Sequence, residues 1–89
     1  MRSVTPEELD TLIAGNVRAH RARLKLRQED LADEIGWARQ SVTYLETGKR
    51  RVSIADAIAL CRGLQIGLHQ LLDGADLDDL AALGIDRRG

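Results

Sequence analysis

Residues 28–47, QEDLADEIGWARQSVTYLET, constrain the fold more than any other stretch of this chain. At helical period they read as two short helices separated at Gly36. Leu31, Ala32 and Ile35 make an apolar stripe on the first, and Val42 and Leu45 make one on the second. Gly36 suits the positive φ of a tight turn. Both stripes have to be buried. Beside its stripe, however, the second helix carries Arg39, Gln40, Ser41, Thr43 and Tyr44, which donate and accept hydrogen bonds. A helix of that composition packs one face on its own domain and leaves the other free to enter a groove of DNA.

Composition narrows what surrounds this stretch. Eighty-nine residues make one domain, near the lower end of what sustains its own core. Hydrophobic residues are 44%, with one Tyr, one Trp, no Phe and one proline, which predicts an all-helical core of aliphatic side chains. A lone Cys61 forms no internal disulfide. With two distant histidines it makes no zinc site, and no metal or cofactor is expected. The N-terminus lacks the long apolar run of a signal peptide or membrane span, so a cytoplasmic protein with no membrane partner is expected. The polar tail at residues 86–89 is expected to fray.

The net charge of −1 argues weakly against a nucleic-acid partner until the charges are mapped. Residues 15–52 hold nine Lys/Arg against five Asp/Glu, a local balance of +4. The other 51 residues hold four basic and nine acidic groups, a balance of −5. The field at a surface follows this separation, not the total.

Along the chain, Thr5-Pro6-Glu7-Glu8 is a helix start. Thr5 caps, Pro6 suits the first helical position and Glu8 completes a capping box. Leu9, Leu12, Ile13, Asn16, Val17, His20 and Leu24 recur at three- and four-residue spacing and carry a first helix to about residue 23, with His20 partly buried on its stripe. A short connection with Leu26 packed leads to the second helix over 28–35. Its exposed side carries Glu29, Asp30, Asp33 and Glu34. Trp37 is expected to plug the core. The third helix spans 39–46, and Gly48 suits a left-handed cap after it. Lys49-Arg50-Arg51 follows a candidate recognition helix directly, so these residues are expected on phosphates. Ser53 caps a fourth helix running to about residue 64, with Ile54, Ala57, Ile58, Cys61 and Leu64 inward. A fifth short helix over 68–72 offers Leu68, Leu71 and Leu72 and leaves His69 exposed. Asp76 caps a sixth, ended by Gly84, whose stripe is Leu77, Leu80, Ala81 and Leu83. That last helix either covers the core or supplies part of a dimer interface.

The conjunction of Gln28, Leu31-Ala32, Ile35-Gly36, Val42, Leu45-Glu46 and Gly48 resembles the helix-turn-helix of the phage-repressor and Cro family, also called the XRE family. The likeness extends over about residues 13–72, including the trailing S-I-x-x-A-I-x-L-C-x-x-L-x-I-x-L-x-x-L-L. It implies a compact five-helix repressor-like domain, here with a short sixth helix in the extension at 73–89. By the same resemblance, Gln28 grips a phosphate at the start of the second helix, where helix N-termini favour anions. Arg39, Gln40 and Tyr44 face base edges, and Ser41 and Thr43 lie near the backbone or thymine methyls. Arg39 pairs with guanine and Gln40 with adenine in that scheme. Arg21 and Glu46 match a partly buried ion pair joining the first helix to the end of the third.

Several positions depart from the family pattern. Arg27 and Ala38 stand where Ser or Thr caps are favoured, and a lost cap costs about 1 kcal/mol. Arg27 is expected to contact phosphate instead. His20 replaces Leu, Gln65 replaces Gly, and Tyr44 is bulkier than usual. The resulting expectation is a sequence-specific transcriptional regulator that binds double-stranded DNA as a homodimer. The alternative is an antitoxin-like or co-regulator module that holds a protein partner through acidic Asp73, Asp76, Asp78 and Asp79. An enzyme is not expected, because no Ser/His/Asp, Cys/His or Gly-rich phosphate constellation is present.

Overall fold

A computed structural model of the chain describes residues 5–85, so the expected fraying of residues 86–89 lies outside it. It contains six helices and, among the described residues, no strand: α1 (Pro6–Arg23), α2 (Gln28–Ile35), α3 (Arg39–Glu46), α4 (Ile54–Leu64), α5 (Leu68–Leu71) and α6 (Leu77–Ala82). The ends of most helices are set by local chemistry. The Glu8 amide donates to Thr5 Oγ1 at 3.1 Å, and the Thr5 amide donates back to Glu8 Oε1 at 3.4 Å. Ser53 and Asp56 repeat this reciprocal box at α4, at 3.0 and 3.1 Å. Asp76 Oδ1 accepts from the Asp78 amide at 2.8 Å to start α6.

Arg27 cannot accept a hydrogen bond, so α2 is capped from within. The Arg27 amide donates to Asp30 Oδ2 at 2.8 Å, and the Arg27 guanidinium reaches the same carboxylate. Those bonds hold the Asp30 carboxyl below its ordinary pKa and raise that of Arg27. Ala38, by contrast, gives α3 no side-chain cap.

The core gathers Ile13 and Val17 of α1, Leu31 and Ala32 of α2, Val42 and Leu45 of α3, Leu60 and Leu64 of α4, and Leu71 and Leu72 around α5. His20 is buried beside them. Asn16 Nδ2 donates to the Leu71 and Asp73 carbonyls at 2.8 and 3.0 Å, fastening α1 to the end of α5. Gly63 lets α4 lie close on α2, since a Cβ there would fall 2.5 Å from Ile35 Cγ2.

Four expectations about facing are corrected. On α4, Ala57, Leu60 and Leu64 are buried and Cys61 is half-buried, while Ile54 and Ile58 are 75% and 55% exposed. On α6 only Leu80 is buried, and Leu77, Ala81 and Leu83 face outward. His69 is half-buried, lying against Gly67 and lining a cleft with His20. Leu24, expected on the inward stripe of α1, is exposed at its C-cap. Gln65, standing where the resemblance favours glycine, adopts the left-handed conformation at φ 59°.

Candidate nucleic-acid interface

The turn between α2 and α3 forms because Gly36 takes φ 74° and the Trp37 amide donates back to the Ala32 carbonyl at 2.8 Å. Behind this turn, α3 is held by a polar network centred on Glu46, which is 2% exposed. Its carboxylate accepts from Arg21 Nε at 2.7 Å, Arg21 Nη2 at 3.0 Å and Gln28 Nε2 at 3.1 Å. Arg21 also donates to the Leu26 carbonyl at 2.8 Å, and the Glu46 carbonyl accepts from Arg18. Thr43 Oγ1 lies 3.0 Å from Gln28 Oε1 and 3.3 Å from the Arg39 carbonyl, sharing its one hydrogen between them. Side chains of α1 and α2 therefore converge on α3 through one buried carboxylate. Buried charge tolerates this only when its lone pairs are filled, as they are here.

With its inner face fixed, α3 presents Arg39, Gln40 and Tyr44 to solvent. Gln40 Nε2 donates to Tyr44 Oη at 2.6 Å, so the two stand as a pair one turn apart. Ser41 is half-buried. Lys49 is exposed, and its amide closes the end of α3 on the Tyr44 carbonyl at 2.8 Å.

The residues expected at the site thus separate into groups. Arg39, Gln40, Tyr44 and Lys49 point outward. Gln28 and Thr43 turn their side chains into the network with Arg21 and Glu46. Arg27 is exposed but paired with Glu29 at 2.9 Å and Asp30 at 3.2 Å, and exposed Arg51 pairs with Asp10 at 3.4 Å. Arg50 is half-buried: its guanidinium carbon sits 4.3 Å from the centre of the Trp37 ring, and Nη2 reaches Asp56 at 3.3 Å. Arg18 holds the end of α3 without having been singled out from sequence. Arg18 was legible as the residue one turn before Arg21, close enough along α1 to reach the same helix end. Among the described residues, no group of three or more His, Cys, Asp or Glu is placed to hold a metal ion, and no helix is long and apolar enough to cross a membrane.

Two short helices joined by a glycine turn, the second buried on one side and polar on the other, define a helix-turn-helix unit. The profile of the helix-turn-helix family HTH_3 matches residues 17–71. Among solved structures, the restriction-modification controller protein C.AhdI from Aeromonas hydrophila is 31% identical, over 70% of this chain and 94% of that one, with a TM-score of 0.67. The hypothetical transcription factor NHTF from Neisseria shares the fold at 23% identity, over 93% of this chain and 94% of that one, with a TM-score of 0.70. The clp gene regulator ClgR from C. glutamicum does so at 22% identity, over 72% and 83%, with a TM-score of 0.69. No curated protein compared with the chain matches it. The chain belongs to the helix-turn-helix family of the phage-repressor and Cro type, a family of DNA-binding transcription regulators.

Proposed function

We propose that this protein binds a pseudo-palindromic operator as a homodimer, laying α3 in the major groove of each half-site. The observation that carries this reading is the division of α3. Val42, Leu45 and Glu46 are locked inside, while Arg39, Gln40 and Tyr44 stand together on the opposite, solvent-facing side. Arg39, in the first turn, suits bidentate pairing with guanine O6 and N7. Gln40 suits adenine N6 and N7 once its amide leaves Tyr44. The Gln28 side chain is occupied by Glu46 and Thr43, so what α2 offers a phosphate is its N-terminal backbone amides. Exposed Lys49, with Arg27 and Arg51, adds the charge that sets register on the backbone.

One recognition helix reads too few base pairs for useful specificity, which favours a two-fold dimer with its helices about 34 Å apart. Ile54 and Ile58, one turn apart on α4, give a second copy an apolar seam away from α3. The 31% identity to a restriction-modification controller supports a regulator built on a domain of this size. Selection of bound sites from random DNA tests the reading. A motif with two related half-sites one helical turn apart is expected, and a pool with no enrichment would overturn it.

A further inference from the structure

We propose that Arg50 is a positioning residue, which holds α3 at its working pitch by bridging the segments on either side of it, and not a ligand to DNA phosphate. The inference rests on the DNA-binding reading above and assigns a different job to a cation that the basic run 49–51 places on the backbone. Trp37 precedes α3 in the turn after α2, and Arg50 follows α3 in the loop before α4. The guanidinium carbon lies 4.3 Å from the indole centre, within the distance at which a ring face attracts a cation. From the same group, Nη2 reaches Asp56 Oδ1 at 3.3 Å, while Oδ2 of that carboxylate accepts the Ser53 amide that starts α4. One side chain thus joins the entry to α3, the exit from α3 and the cap of α4.

The environment fits a clamp better than a free phosphate ligand. Arg50 Nε is buried without an oxygen or nitrogen acceptor. That cost is tolerable for a planar guanidinium on an aromatic face and is hard to justify for a side chain that is meant to swing out. Lys49, next to it, is exposed, and its backbone amide is anchored on Tyr44. The two neighbours therefore divide the work: Arg50 fixes the loop, and Lys49 presents charge from it. Arg is required for this because an ammonium group cannot stack flat and reach a carboxylate from the same plane.

The test compares R50K, R50Q and K49A for binding to the selected operator and to an unrelated duplex across a salt series, after circular dichroism has shown each variant folded. If Arg50 positions α3, R50K resembles R50Q. Operator affinity falls about tenfold and unrelated duplex affinity less than twofold, with the slope of log K against log salt unchanged. K49A gives the opposite pattern, an even loss on both duplexes and a slope smaller by about one. Trp37 is the only tryptophan, so its emission reports the clamp directly, and R50K and R50Q should raise its quenching by acrylamide. D56N keeps an oxygen for the Ser53 amide but drops the ion pair, and should shift both readouts the same way by less. The proposal is overturned if R50K binds as wild type while R50Q lowers the slope by about one, the signature of a phosphate contact. A wild-type protein with no preference for any duplex would instead sink the operator reading. The quenching experiment would then still decide whether Arg50 holds Trp37.

Discussion

Glu46 shows how much of this site depends on single residues. It is an acid near the end of α3, the proposed reading helix, where negative charge would repel DNA if exposed, and it is 2% exposed, its oxygens bonded by Arg21 and Gln28. Removing one partner of a buried pair leaves the other uncompensated, at a cost of about 3–5 kcal/mol. Because Arg21 keeps some contact with water, Glu46→Ala is expected to destabilise the fold by about 3 kcal/mol, at the lower end of that range. Urea unfolding should show this as a lower midpoint at constant slope, and an unchanged midpoint would remove Glu46 from the framework. Arg39→Ala should instead leave stability alone, weaken operator binding by about 1–3 kcal/mol and relax preference at one base pair. If titrations across operators with that pair varied showed no such loss, α3 would not be the reader. At this scale residue identity in the sequence does not say which way a side chain turns. The resemblance puts Gln28 and Thr43 on phosphate or backbone, yet the Gln28 side chain bonds Glu46, 18 residues away, and Thr43 bonds Gln28, 15 residues away, partners that no local rule selects. Arg50 is a similar case, since three consecutive basic residues look alike until Trp37 and Asp56 are brought beside one of them.

Helices were legible where their ends are written in neighbouring residues, and less so where a face had to be chosen. Gly36, the Ser53 cap and Gly48 act over a few positions, so most bounds of α2, α3 and α4 follow from the chain itself, while the Arg27–Asp30 clasp that starts α2 is not among the expected caps. The inward face of α4 does not. Seven of the eight residues from 54 to 61 are apolar, so periodicity supports more than one stripe. Packing against α2 then chooses Leu60 and Leu64 over Ile54 and Ile58. Gly63 is the hinge of that choice. It allows the close approach of α4 to Leu31 and Ile35, and Gly63→Ala should destabilise by about 1–3 kcal/mol through overpacking even though alanine favours helices. A calorimetric melt that rose on this change would mean that Ile35 yields easily and that the approach is not tight. The C-cap of the same helix makes the reverse case. Gln65 sits at φ 59°, where a side chain costs about 1–2 kcal/mol relative to glycine, offset by about 0.5–1 kcal/mol of extra chain entropy for glycine when unfolded. Gln65→Gly is therefore expected to raise stability by roughly 0.5 kcal/mol. A lower melting temperature would show that the glutamine side chain contributes more than its backbone strain removes.

At the scale of the molecule, the separated charges and the exposed apolar residues specify different surfaces. The basic excess of residues 15–52 flanks α3 along the chain, while Asp73, Asp76, Asp78 and Asp79 lie after α5 and at the start of α6, so a dimer on DNA should keep that end away from phosphate. The chain measures 38 × 26 × 21 Å, a size that leaves room for the proposed pair of copies to set their α3 helices about 34 Å apart. The seam then has to be apolar and clear of Arg39, Gln40 and Tyr44. The outer face of α4 meets both conditions. Fully burying an isoleucine side chain is worth about 1.5–3 kcal/mol, and a two-fold axis beside α4 would use Ile54 and Ile58 twice. A charge there would be desolvated against its own symmetry mate, so Ile58→Glu should convert the proposed dimer to a monomer in sedimentation at micromolar concentration. The same change should weaken binding to the two-half-site operator far more than binding to an isolated half-site. Because Ile58 is 55% exposed in the single chain, the monomeric variant should keep its helical circular dichroism and a cooperative melt that no longer depends on concentration, which separates a lost interface from a lost fold. A variant still dimeric in sedimentation would move the seam off α4, most simply to the exposed Leu77 and Leu83 of the α6 region. A wild-type protein that stayed monomeric both free and on its selected operator would overturn the homodimer itself.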